Sequence, residues 1–300
     1  MKEIKLTKLN SEIADNLDEF IKDSDIKYQE QIEITAESIA YHKNECPLVF
    51  VAGPRGSGKK ISARKIRTEL EKQGVRTFLI TLDNYLMNDN PNEISDFENP
   101  FRINKETFNA DMGKIVEGKP IYVTSYSKQQ SGYTIGGEVD FHKGDVLIVE
   151  GLQALNPEVT DAWDDYARYV YTSIRTRVVN EKGTRLHPSK IRLLRRLVRA
   201  MYNNKPIEKI LDAFDETQLR EDRFVMPYKY RANYEIDTFI GYEASVYKPM
   251  ILPKLEALNA ENLLEHKFED LLLFLTDIES MPLSAVPENS MIHEFMEGIK

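Results

Sequence analysis

The stretch that decides the fold is "VFVAGPRGSGKKISARKI", residues 49–66. An apolar run hands over to glycines, and the glycines hand over to a helix-forming run that opens on two lysines. Gly53, Gly58 and Lys59 stand at the G-x-x-x-x-G-K spacing, with Arg55, Gly56 and Ser57 between them. A strand that feeds glycines into a helix N-terminus converges backbone N–H groups on one spot, where the helix dipole and a lysine charge favour an anion such as phosphate. The alternative is an ordinary glycine-rich turn. The spacing normally closes with Ser or Thr, whose hydroxyl holds Mg²⁺; here that position is Lys60, followed by Ile61. Ser62 does not stand in for it, because two helical steps turn it about 200° away.

Working outward, residues 1–28 are charged and weakly periodic, and read as a frayed or loose helix. From Gln29 to Lys43, Ile32, Ile34, Ile39 and Tyr41 come at roughly helical spacing and predict a helix leading into the first strand. That strand, "PLVFVAG" (47–53), is apolar throughout, as strands covered on both faces of a parallel sheet are. Beyond the loop, Ile61 to Gln73 reads as an amphipathic helix and "GVRTFLITLDNY" (74–85) as a second strand ending in Asp83. Residues 84–104, polar and broken by prolines, are too long for a simple connection and point to a functional or mobile segment. A helix near 105–117 and a hairpin-like stretch near 120–140 precede "GDVLIVEG" (144–151), the strongest strand signal in the chain. "YARYVYTSI" (166–174) follows a short helix. From Pro188 the sequence turns helical, and "SKIRLLRRLVRAMY" (189–202) puts Ile191, Leu194, Leu197 and Val198 on one face. A last strand, "EIDTFIG" (235–241), and helices to about Leu275 follow, with "MPLSAVPENS" (281–290) as a joint to the tail. The chain thus divides into a helical lead-in (1–45), an α/β domain with a mostly parallel sheet (46–257) and a C-terminal helical extension packed on it (258–300).

With 300 residues, 41% of them hydrophobic, the chain can bury one generous core. Its formal net charge of −9 argues against a sequence-independent grip on nucleic acid, which needs a basic face. A small molecule or a protein is the expected partner. Cys46 is the one cysteine, so no internal disulfide forms. The N-terminus has no apolar signal region, and no apolar run approaches membrane-spanning length. These features predict a cytoplasmic protein without a membrane partner, and leave a homo-oligomer open.

Two strand-end acids carry chemistry. Asp83 closes a strand beside the first one, where a doubly wound sheet presents residues to its ligand crevice, and a carboxylate there can accept the proton of an attacking hydroxyl. Glu150 closes "VLIVEG", at a height where an acid can hold Mg²⁺ or its waters. Each alone could be a solvated strand end; with the glycine loop they form a phosphoryl-transfer constellation. Arg192, Arg195 and Arg199 share a helical stripe, with Arg196 beside Arg192. Such a stripe suits triphosphate recognition, and equally a solvated basic face.

The order of the glycine loop, "TLDNY" (81–85), "DFENP" (96–100), "FNADM" (108–112), "DVLIVEGLQALNP" (145–157), "RLLRRLVRA" (192–200), "FVMP" (224–227) and "YEASVYKPMILPKL" (242–255) resembles the uridine kinase and phosphoribulokinase superfamily. The nearest likeness is to its bacterial uridine kinase-like branch, whose ending "VPENSMIHEFMEG" (286–298) also resembles. The resemblance implies an α/β P-loop kinase fold with a helical lid, using ATP and Mg²⁺ to phosphorylate the 5′-hydroxyl of a nucleoside or a similar small hydroxyl compound. It implies Lys59 on the phosphates, Asp83 as base, Glu150 with Asp83 near magnesium, and Arg195, Arg196 and Arg199 on a lid helix over ATP. It also implies Glu98 against the ribose and Tyr126 near the nucleobase. Departures are Lys60 and Ile61 for the hydroxyl pair, Lys190 and Ala200 for aspartates flanking the lid arginines, "YNNKPIE" (202–208) without an Arg-Gly element, and Ser127 for Asp or Asn. They gather on the magnesium and acceptor side, which keeps a second expectation alive: a catalytically degenerate nucleotide-binding regulatory protein of the same fold.

Overall fold

The computed structural model describes residues 2–87, 99–127, 132–261 and 263–296, with the backbone alone for 124–127 and 132–136. The chain opens with β1 (Glu3–Lys5), α1 (Leu6–Asp15) and α2 (Leu17–His42). The central unit follows: β2 (Leu48–Ala52), α3 (Lys59–Lys72), β3 (Thr77–Thr81), α4 (Lys105–Val116), β4 (Ile121–Ser127), β5 (Gly132–Val139) and β6 (Val146–Glu150). Next come α5 (Pro157–Thr160), β7 (Ala167–Ser173), β8 (Arg177–Val179), β9 (Arg185–Leu186) and α6 (Pro188–Tyr202). The remainder is α7 (Glu208–Asp212), α8 (Phe214–Phe224), β10 (Tyr234–Asp237), α9 (Glu243–Ala260) and α10 (Glu269–Asp277). No helix among the described residues is long and apolar enough to cross a membrane.

Five strands make a parallel sheet in the order β10-β7-β2-β6-β3, which puts β2 at its centre. Successive side chains of a strand point to opposite faces, and the core divides accordingly. Leu48, Phe50 and Ala52 join the cluster that includes Phe108, Met112 and Ile115 of α4, while Val49 and Val51 join the cluster under α2, α3, α6 and α9. Leu48, Val49, Phe50 and Val51 are all fully buried. At about 1.5–3 kcal/mol for each such side chain, this strand outweighs the exposed ion pairs, whose usual worth is about 0–1 kcal/mol. The remaining strands form two small sheets: the antiparallel β4-β5 hairpin, expected near 120–140, and β1-β8-β9.

The N-terminal region is more ordered than its composition predicts. Leu6, Leu9 and Ile13 of α1 and Ile21, Tyr28, Ile32 and Ile39 of α2 are buried, so residues 1–28 do not form a loose helix. The stripe is thin and carries the polar Ser24 and Thr35, which hides it from a hydrophobic scan. Ile34 and Tyr41, expected on the same face as Ile32, are 66% and 83% exposed. Two residues along a helix is a turn of about 200°, so 34 and 41 belong to the opposite face.

One contact ties α2 to the helix after the glycine loop. The Tyr28 hydroxyl meets Ser62 Oγ at 2.9 Å, both buried, and burial pushes the phenol well above its usual pKa. Tyr28→Phe leaves Ser62 without that partner and costs about 1–3 kcal/mol, whereas adding Ser62→Ala removes both polar ends and recovers most of the loss. Urea unfolding of the single and double variants measures this; equal losses in both would assign the cost to packing.

Candidate functional site

The loop between β2 and α3 is built by what lies behind it. Gly56 and Gly58 have φ of 75° and 83°, a left-handed backbone that side chains rarely adopt. A side chain at Gly56 would also press on the Arg192 carbonyl at 2.6 Å, and one at Gly58 on Met291 Cε at 2.9 Å. The loop carbonyls all turn to the protein. Arg192 Nη1 donates to Arg55 O at 3.0 Å, Arg195 Nη1 to Gly56 O at 3.0 Å, and Thr238 Oγ1 to Ser57 O at 2.7 Å. In a planar trans peptide the N–H points opposite the preceding carbonyl. The N–H groups of Gly56, Ser57 and Gly58 therefore face the other side, where α3 brings its own N-terminus; Ser57 N–H also reaches Pro54 O at 3.1 Å. A helix N-terminus with N–H groups on that side is suited to receive an anion.

Two strand ends and the start of α3 supply the charges beside the loop. Parallel pairing sets Glu150 of β6 level with Val51 of β2 and Thr81 of β3. Thr81 links the acids, since its hydroxyl bonds Glu150 and accepts Asp83 N–H at 3.3 Å. Burial holds the Glu150 carboxyl above its usual range, with Lys59 pulling it back. Burial likewise lowers Lys59, opposed by Glu150 and Asp83. Asp83 is exposed, and so is Lys60, on the first turn of α3. Lys59, Asp83 and Glu150, chosen from separate stretches of sequence, thus share one electrostatic neighbourhood.

The arginines of α6 lie elsewhere than expected. Arg195 is fully buried; its Nε donates to Glu243 Oε2 at 2.7 Å and its Nη2 to Glu243 Oε1 at 2.9 Å. Arg199 donates to Glu294 O at 3.0 Å, and both Arg195 and Arg199 lie over the Phe295 ring. Arg196 is half-buried and reaches Thr217 Oγ1 at 3.4 Å. Of the stripe expected to cover a nucleotide, Arg192 and Arg195 instead brace the back of the loop, each buried against a carboxylate, Glu221 on α8 and Glu243 on α9. Glu98 lies outside the described residues, and Tyr126 is described only by its backbone place in β4, opposite Tyr133.

Sequence reasoning missed Glu221 and Glu243. Glu221 of α8 is fully buried, accepts Arg55 N–H at 2.6 Å, and pairs with Arg192 Nη1 at 2.7 Å. Nothing local marks either acid: each meets its arginine only through tertiary packing. Among the described residues no group of three or more His, Cys, Asp or Glu could hold a metal ion.

No family model matches the chain. Uridine-cytidine kinase C of Dictyostelium discoideum is 29% identical over 117 residues, 39% of this chain and 25% of that protein. Inorganic pyrophosphatase TTM2 of Arabidopsis thaliana is 30% identical over 118 residues, 39% of this chain and 17% of that protein. The matched segment thus spans a quarter or less of these two relatives. Uridine kinase of Ureaplasma urealyticum serovar 10 is 24% identical over 196 residues, 63% of this chain and 86% of that protein. A solved structure of a possible uridine kinase from Bacillus stearothermophilus aligns with a TM-score of 0.43 at 14% identity, over 69% of this chain and 98% of that one.

The brace predicts how Arg195 fails. Arg195→Ala strands the buried Glu243 charge and lowers stability by about 3–5 kcal/mol, and Arg195→Ala with Glu243→Ala together recovers part of it. Chemical denaturation reads this. An unchanged unfolding midpoint with weakened nucleotide binding would return Arg195 to the ligand side.

Proposed function

We propose, from the chain's place in the uridine kinase-like superfamily, that it binds a nucleoside triphosphate at the glycine loop and transfers the γ-phosphoryl group to a hydroxyl of a small, nucleoside-like acceptor. The observation that carries this is the convergence of Lys59, at the start of α3, with Asp83 and Glu150, at the ends of the adjacent strands β3 and β6, beside the loop. The loop N–H groups hold the phosphates and Lys59 adds a point charge on the transferring group, where preorganised charge contributes most. Asp83, exposed at the rim, accepts the acceptor's proton as its oxygen bonds phosphorus and the bond to the bridging oxygen of ADP breaks. Glu150 favours the charged form of Lys59. ATP as the phosphoryl donor and the 5′-hydroxyl of uridine or cytidine as acceptor follow from the family likeness.

The residues present do not fit a magnesium site of the usual composition. The hydroxyl expected directly after Lys59 is lacking, Lys60 stands in its position, and among the described residues Asp83 and Glu150 are the strand-end carboxylates beside the loop. No step above is routed through a metal. Lys60 and the paired arginines favour one rival, a protein that binds nucleotide and regulates a partner without turnover.

ATP should raise the melting temperature of the protein, since the loop takes its shape only in the folded chain, and Lys59→Ala should abolish the rise. Asp83→Asn should lower transfer to uridine or cytidine by about 10²-fold or more while leaving ATP binding intact. Acceptor-dependent ADP release measures it. ATP binding with no ADP release for any nucleoside would favour the regulatory protein, and an undiminished shift in Lys59→Ala would remove the loop from either account.

A further inference from the structure

We propose that the loop takes its polyphosphate without a divalent metal, the ammonium of Lys60 supplying the charge that the metal would bring. This rests on the phosphate-binding role given to the loop above, and concerns the form of ligand it accepts.

Four hydroxyls around the loop are held in buried bonds. Ser57 Oγ meets Thr172 Oγ1 at 3.2 Å, Ser62 Oγ meets the Tyr28 hydroxyl at 2.9 Å, Thr172 Oγ1 lies 3.3 Å from Ala52 O, and Thr238 Oγ1 donates to Ser57 O at 2.7 Å. Ser57, Ser62, Thr172 and Thr238 are each 0% exposed. None can turn to a metal without breaking a buried bond.

Lys60, by contrast, is exposed on the first turn of α3, a helix of 14 residues whose N-cap, Gly58, has no side chain and whose first turn holds no acid. Its ammonium lies near enough to Glu150 to favour that carboxylate's charge. Among the described residues the strand-end carboxylates beside the loop that a divalent ion could draw on are Asp83 and Glu150, and it would crowd against two lysine charges. Like charges at short range repel strongly in a partly buried site, and magnesium gives up its waters reluctantly. A metal-free polyphosphate meets the opposite situation: it carries more negative charge than its magnesium complex, and adjacent lysines and a helix N-terminus receive it. Lys60 can neutralise phosphate oxygens there without leaving Glu150's field.

Calorimetric titration of ATP into wild type, Lys60→Thr and Lys60→Met, each in EDTA and in excess Mg²⁺, tests this. In wild type the Kd in EDTA should stay within about threefold of that in Mg²⁺, and in Lys60→Thr the ratio of the two should rise at least about tenfold. Lys60→Met, which removes the charge without adding a hydroxyl, should weaken binding in both buffers. The same ratio in wild type and Lys60→Thr, or undiminished affinity in Lys60→Met, overturns the proposal. Binding that requires Mg²⁺ in wild type and disappears in Lys59→Ala would remove it while leaving the nucleotide role standing. Folded protein that binds ATP in neither buffer would remove both.

Discussion

A guanidinium withdrawn from water must keep its carboxylate, and in this fold two such pairs hold the loop in shape. Arg192 with Glu221 and Arg195 with Glu243 are buried, and each arginine spends a further N–H on a loop carbonyl. Losing one partner of such a pair costs far more than the pair contributes as a whole. The geometry is therefore fixed by penalty more than by attraction. With the carbonyls of Arg55, Gly56 and Ser57 held from behind, the peptide N–H groups have one direction left. The side suited to an anion is the front of an arrangement decided at its back.

Much of this was legible in the sequence, for reasons that can be named. "PLVFVAG" reads as a central strand because every position is apolar, and the sheet does bury both of its faces. The loop is legible because a left-handed turn needs glycine at fixed spacing, and Gly56 and Gly58 have that conformation. Asp83 and Glu150 stand out as acids that close apolar runs, and parallel register brings their strands level. The arginine stripe misleads because helical spacing shows that residues share a face and not what that face meets. Helix α2 is missed before Gln29 for the opposite reason: its buried stripe alternates with polar residues, and the core it meets comes from distant parts of the chain.

Charge at the mouth of the loop is mixed. Lys59 is drawn toward neutrality by burial and toward its charged form by Glu150, Asp83 and Glu221, and Glu150 faces the converse. Such a balance makes the site responsive to what enters it. An arriving anion supports the lysines and opposes the carboxylates, so the groups that recognise the ligand are also those whose ionisation it changes. Position 60 weights this balance toward the cationic side. In the reading proposed above, one residue separates the phosphate binding assigned to the loop's backbone from the metal chemistry that the same loop shape can serve.

The supports of the loop are remote in sequence. Arg192, Arg195 and Thr238 reach it across 137, 139 and 181 residues, and Glu294 reaches Arg64 of α3 across 230. On a ribosome, β2 and the glycines emerge long before these partners exist. Domains of this kind gain their shape as synthesis proceeds, and contacts of such long range are the slowest to form. The half-made chain would hold its glycine turn as an unbraced, shape-shifting segment with an apolar strand beside it. Met291, beside Gly58, and Phe295, under Arg195 and Arg199, are made later still, so the loop gains its full backing only after the strand and glycines that define it have long been in place.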